Sequence, residues 1–148
     1  MAKLGPYEVH PFADKFPLIS GEEFDELVAD VREHGLREPI LLSADGKVLI
    51  DGRNRYRACE AAQSSPRFTR LAGHYTEAMI LDLIVSANVE RRHLDSGTRA
   101  FLALDYKAAY SEAAKAAQAE NARRTAERVN AQVTRPSNVA DRPHSTGA

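Results

Sequence analysis

Apolar positions recur with two different periods along this chain, and the switch between them predicts the order of its elements. Phe24, Leu27, Val28 and Val31 fall at i, i+3, i+4 and i+7, one face of a helix. Ser20, followed three residues later by Glu23, has the form of a capping box. The helix is therefore expected to start near residue 21, with Gly35 as its stop. The pattern then shortens. Ile40, Leu41 and Leu42 form one apolar run, Val48, Leu49 and Ile50 another, and Asp45-Gly46 between them is a strong hairpin signal. This predicts antiparallel strands over 39–43 and 47–50.

Helical spacing returns at 52–62, with Tyr56, Cys59 and Ala62 on the inner side, until Ser64, Ser65 and Pro66 break it. Residues 67–71 read as a further strand. Thr76 is placed to cap a helix over 77–88, with Met79, Ile80, Leu83 and Ile84 inward. Asp95 or Ser96 caps a long helix from about 97 to 130. Its first half is amphipathic (Phe101, Leu102, Leu104, Asp105, Tyr106). Its second half is rich in Ala, Glu and Arg, which favours a helix and offers little core. Residues 1–18 read as mostly extended, punctuated by Pro6, Pro11 and Pro17, and the polar tail from Val133 is expected to be disordered.

Composition narrows the function classes. The 148 residues suffice for one domain with a core, and no apolar run approaches the roughly 20 residues that span a bilayer. The first residues lack the apolar centre of a signal peptide, so a cytoplasmic protein without membrane contact is expected. The single cysteine, Cys59, excludes an intramolecular disulfide and a Cys-rich zinc site. The net charge of −1 lacks the basic excess of a free-standing nucleic-acid binder. Phosphate contacts must then come from local clusters: Arg53, Arg55 and Arg57; Arg67 and Arg70; Arg91, Arg92 and Arg99.

The stretch "LIDGRNRYRA" carries the first cluster at a strand-to-helix joint. A helix N-terminus presents unpaired N–H groups and the positive end of its dipole, which suits an anion. Gly52 has no Cβ, so a phosphate can approach the backbone closely. Arg53 and Arg57, four residues apart, share a helix face, and arginine's planar fork suits phosphate oxygens. The competing reading is a solvated basic face paired with Asp51 and Glu60, and the joint alone leaves both open. The stretch "SANVERRHLDSGTR" supplies Asn88, Arg91, Arg92, His93 and Arg99 just before another helix start, a second anion site or a polar inter-helix turn. A lone histidine such as His93 is more often structural than catalytic.

Taken in order, "VHPFADKFP", "EEFDELVADVREHGLREPILL", "LIDGRNRYRACEAA" and "ANVERRHL" resemble the ParB/sulfiredoxin-like superfamily, specifically the ParB N-terminal ("ParB-like nuclease") domain, over roughly residues 7–106. The last two stretches correspond to that family's G-E-R-R-x-R-A and E-N-x-x-R-x-x-L boxes. The resemblance implies an α/β (α+β) fold: a small mixed sheet with flanking helices, followed here by a long C-terminal helix. It sets boundaries at 1–106 for the ParB-like domain, 107–132 for a helical extension and 133–148 for a disordered tail. It also implies a nucleotide, CTP in the partition proteins, held between the two boxes. By position, Gly52, Arg53, Asn54, Arg55 and Arg57 would form the phosphate-binding joint, with Asn88, Arg91 and Arg92 on the other side.

The chain also departs from that pattern. Arg53-Asn54 stands where the family has Glu-Arg, and Ala87 stands where the partition proteins carry a magnesium-ligating Glu. A magnesium ion prefers hard oxygen ligands, so Mg²⁺ and weak CTPase activity are in question while nucleotide binding is not. Sulfiredoxin chemistry is not expected, since Asn54 and Arg55 occupy the place of its cysteine. No helix-turn-helix is legible after residue 106, as in phage- or plasmid-type relatives. The expected role is a nucleotide-binding, DNA-associated accessory in partition or transcription regulation. The alternatives are a nuclease, NTPase or phosphotransferase on the same scaffold, or a nucleotide-independent interaction module that forms a homodimer through the long helix.

Overall fold

The computed structural model describes residues 1–89 and 94–133. Two units are distinguished, Met1–Ala114 and Lys115–Ala148. The first contains a five-stranded mixed sheet in the order β1-β2-β4-β3-β5. Its elements are β1 (Lys3–Leu4), β2 (Tyr7–Val9), α1 (Glu22–His34), β3 (Ile40–Leu42), β4 (Val48–Asp51), α2 (Arg53–Ala62), β5 (Phe68–Arg70), α3 (Glu77–Val89) and the start of α4 (Ser96–Val133).

The expected hairpin forms the centre of the sheet. β3 and β4 are antiparallel, with Leu42 opposite Leu49, and Gly46 adopts the positive φ of 75° that the turn needs. Parallel strands flank this hairpin: β2 beside β4, with Val9 opposite Leu49, and β5 beside β3, with Ile40 opposite Phe68. Residues 1–18 are not simply extended. Gly5 turns β1 back onto β2, and Ala13–Lys15 forms a short 3-10 turn.

The two-residue period of β4 divides the core. Leu49 faces one side and packs with Val31, Leu36, Ile40, Leu42, Tyr56, Ala58 and Cys59 beneath α1 and α2. Ile50 faces the other side and packs with Val9, Phe12, Phe16, Leu81, Ile84 and Leu102 beneath α3 and α4. Each fully buried aliphatic side chain of this kind contributes about 1.5–3 kcal/mol. A one-residue slip in β4 would exchange the two sides, so this strand's register is strongly specified.

Several local expectations are corrected. No side chain caps α1: its N-cap is Gly21, at φ 61°, whose carbonyl accepts from the N–H groups of Phe24 and Asp25. Ser20 therefore stands one residue too early for a capping box with Glu23. In α3 the buried residues are Leu81, Ile84 and Asn88, whereas Met79 is 45% exposed. That helix is apolar on most sides, so spacing alone did not select its buried face. In α4 Leu102 is buried as expected, but Phe101 and Leu104 are 61% and 70% exposed. Asp95 does cap α4, its Oδ1 accepting from the Thr98 N–H at 2.9 Å. Thr76 similarly accepts from the Met79 N–H at 3.3 Å at the start of α3.

In the second unit the described residues are the helical Lys115–Val133, all exposed except Ala117, which is half-buried. An Arg124–Glu120 pair at 2.9 Å links successive turns. Residues 134–148, expected as a tail, lie outside the described residues, as do Glu90, Arg91, Arg92 and His93. No helix is long and apolar enough to cross a membrane among the described residues.

Candidate functional site

Strand β4 ends at Asp51 and helix α2 starts at Arg53, so the chain must reverse within one residue. Gly52 makes that turn at φ 108°. A Cβ there would meet the Ile40 side chain at 3.1 Å and the Arg55 Nη2 at 3.2 Å. The position thus requires glycine on both conformational and steric grounds. Gly52 itself has no side chain with which to cap the helix.

A cavity of about 300 Å³ opens at this joint. It is lined by Ile50, Asp51, Gly52, Arg53, Asn54 and Arg55 at the joint, by Ala13, Ile19, Glu23, Leu27 and Glu38, and by Ala87 and Asn88 from α3. The cavity therefore gathers Gly52, Arg53, Asn54 and Arg55 from the first sequence cluster and Asn88 from the second. Arg57 is not among its lining residues. Its guanidinium lies 4.4 Å from the centre of the Phe24 ring and donates to the Ile19 carbonyl and to Asn54 Oδ1. Arg91 and Arg92 fall outside the described residues. Arg99 lines a separate, mostly apolar cavity of about 210 Å³ together with Leu102 and Tyr106.

The two arginines of the cavity have different tasks. Arg53 is buried, with 9% exposure, and donates to the Phe16 carbonyl and to Asp14 Oδ1 at 3.0 Å. It pins the segment after β2 against α2. Arg55 donates from Nη1 to Glu38 Oε2 at 2.7 Å, and from Nη2 to Asp51 Oδ2 at 2.9 Å and the Pro39 carbonyl at 3.3 Å. Its Nε is buried without an acceptor, the sole such side-chain atom among the described residues. The pairing with Asp51 matches part of the basic-face reading. That reading missed Glu38, which lies 17 residues earlier in the chain.

Asn54 and Asn88 are both buried. Asn54 Oδ1 accepts from the Ile19 N–H at 3.2 Å, and Asn88 Nδ2 donates to the Ile84 carbonyl at 2.8 Å. The carboxylates of Glu23, Glu38 and Asp51 share the lining with the two guanidiniums, so the cavity carries both signs of charge rather than forming a basic funnel. Cys59 lies beneath α2, where burial pushes its thiol up from the ordinary range. A thiol raised in this way is a packing group and not a nucleophile.

A second polar pair, the buried His10 with the exposed Glu77, went unnoticed in the sequence. His10 Nδ1 accepts from the Phe12 N–H at 3.2 Å, so the proton sits on Nε2, which donates to Glu77 Oε1 at 2.8 Å. That bond holds the Glu77 carboxyl below its usual range.

No protein-family model matches this chain, and no curated protein does. Among solved structures it is similar to the Pnob8-like ParB-N domain, at a TM-score of 0.57 and 21% sequence identity. The fold is that of a ParB-N domain. The likeness covers 78% of this chain and 48% of the other, so the chain spans about half the length of the structure it matches. The mixed sheet and the helices on both of its faces thus agree with the architecture expected from the ordered sequence boxes.

Proposed function

We propose that the cavity at the α2 N-terminus takes the phosphates of a nucleotide, CTP by the family resemblance, in DNA-associated work such as plasmid or phage partition or transcription regulation. One observation carries this reading: Gly52, Arg53, Asn54 and Arg55, from one sequence cluster, and the distant Asn88, from the other, line the same cavity. Its volume of about 300 Å³ reaches the range of small-molecule sites. The positive end of the α2 dipole and the Arg55 guanidinium favour a polyanion at the joint. Asn88 would contribute the contact to the base or sugar.

The same cavity supports binding more than hydrolysis. Ala87 lines it and offers no oxygen where the family pattern carries a magnesium ligand. A metal-dependent nuclease is less well supported, because no group of three or more metal-ligating side chains occurs among the described residues.

The test is a thermal-shift panel of CTP, ATP, GTP and UTP, with and without Mg²⁺. A ligand at 100 times its Kd adds about 2.7 kcal/mol to stability, a rise of several degrees. The expected result is such a rise with at least one nucleotide, CTP foremost, that is lost in Arg55→Ala. A flat response to all four nucleotides removes the proposal.

A further inference from the structure

The Arg55 guanidinium is shared between two carboxylates that differ in exposure. Asp51 closes β4, and its side chain is 19% exposed. Glu38 precedes β3, and its side chain is 60% exposed, while Arg55 itself is 17% exposed. All three line the cavity at the joint. Two negative oxygens already lie 2.7 and 2.9 Å from the guanidinium nitrogens that an incoming phosphate would use. An anion cannot be added beside both without strong like-charge repulsion.

We propose that Glu38 is a displaceable stand-in for the phosphate, holding Arg55 in place while the cavity is empty and swinging into solvent when a polyanion binds. This rests on the nucleotide-binding reading above. Glu38 is the partner that yields, because its exposed side chain regains hydration and rotamer freedom outside the cavity. Asp51 and the Pro39 carbonyl keep their bonds to Nη2, so Arg55 stays oriented after Glu38 leaves. The unmet Nε shows that the two carboxylates do not satisfy the guanidinium fully. Glu38 therefore acts as a positioning residue and sets a threshold. Apparent affinity is the intrinsic affinity reduced by the fraction of molecules with Glu38 displaced, the same factor for every phosphate ligand.

The test measures binding of pyrophosphate and of CTP by calorimetry to the wild-type protein, Glu38→Gln, Arg55→Ala and the double variant. Glu38→Gln is expected to tighten both probes by about threefold to fivefold, the range of an exposed ion pair. Glu38→Ala, which removes the side chain altogether, is expected to do the same. The gain should vanish on the Arg55→Ala background. Wild-type binding with no tightening in either Glu38 variant overturns the stand-in and leaves the nucleotide reading intact. A gain that persists undiminished without Arg55 also overturns it, because Glu38 would then act only as general cavity charge. Absence of binding by every protein overturns both readings together.

Discussion

Replacing Arg53 with alanine separates the structural arginine of the joint from Arg55, the one proposed to meet the ligand. Arg53 makes charge-assisted hydrogen bonds to the Phe16 carbonyl and to Asp14. The side chain of Asp14 is 48% exposed, so that ion pair is screened and contributes little. The bond to Phe16 is different: Phe16 is among the most deeply buried side chains, and its carbonyl would lose a charged donor. Hydrogen bonds to charged groups are worth about 1.5–3 kcal/mol each, so Arg53→Ala should cost about 2–3 kcal/mol. In urea this appears as a lower midpoint at unchanged slope, and on heating as a drop of roughly 6–10 °C. Arg53→Lys keeps the charge but not the fork and should recover less than half of the loss. Arg55→Ala removes bonds to a partly exposed network and should cost about 1 kcal/mol or less. If Arg53→Ala unfolds within about 0.5 kcal/mol of wild type, or if Arg55→Ala is the more damaging of the two, the division of labour is wrong.

Three further outcomes follow from named contacts. Gly52→Ala forces a Cβ against Ile40 at a φ of 108°; it should cost more than about 1 kcal/mol by thermal unfolding and weaken nucleotide binding, whereas an unchanged Tm would contradict the geometry. The Glu77 carboxyl, lowered from 4.5 by its bond from His10, adds stability that is fully present above that value and is lost as pH falls through its lower folded value. Glu77→Gln should therefore flatten the acid limb of a stability-against-pH curve, and an unaltered limb would count against the pair. Tyr106 donates to Asp82 Oδ1 at 2.5 Å, and that bond, with burial, pushes its phenol up to about 12. In an ultraviolet titration of the five tyrosines it should ionise last, and Asp82→Asn should bring it back toward 10.

What could be read from the chain divides along physical lines. The central hairpin was legible because Asp45-Gly46 has a specific backbone requirement and the flanking runs are short and apolar. The stop of α1 at Gly35 was legible for the same reason, its φ of 72° being one that glycine adopts freely. The face of α3 was not, since an almost wholly apolar helix carries no angular information about burial, and Leu81 rather than Met79 turns inward. At the joint, sequence marked Gly52, Arg53, Asn54 and Arg55 but not their partners. Glu38, Asp14, Phe16 and Ile19 are distant and carry no spacing signal, so the split between a buried structural arginine and a cavity arginine required three dimensions. The resemblance by ordered boxes reached the correct architecture because box order follows the order of elements along the chain.

Ile19 sits in no regular element, yet both of its backbone groups are met by side chains of α2: its N–H donates to Asn54 Oδ1, and its carbonyl accepts from Arg57. Two side chains thus do for this residue what a neighbouring strand does for one in a sheet. Its amide should consequently exchange with deuterium slowly for a loop position, and only when this clasp on α2 opens. Because Ile19 also lines the cavity, that single amide is a built-in reporter of the joint, readable by hydrogen exchange without labels or substitutions.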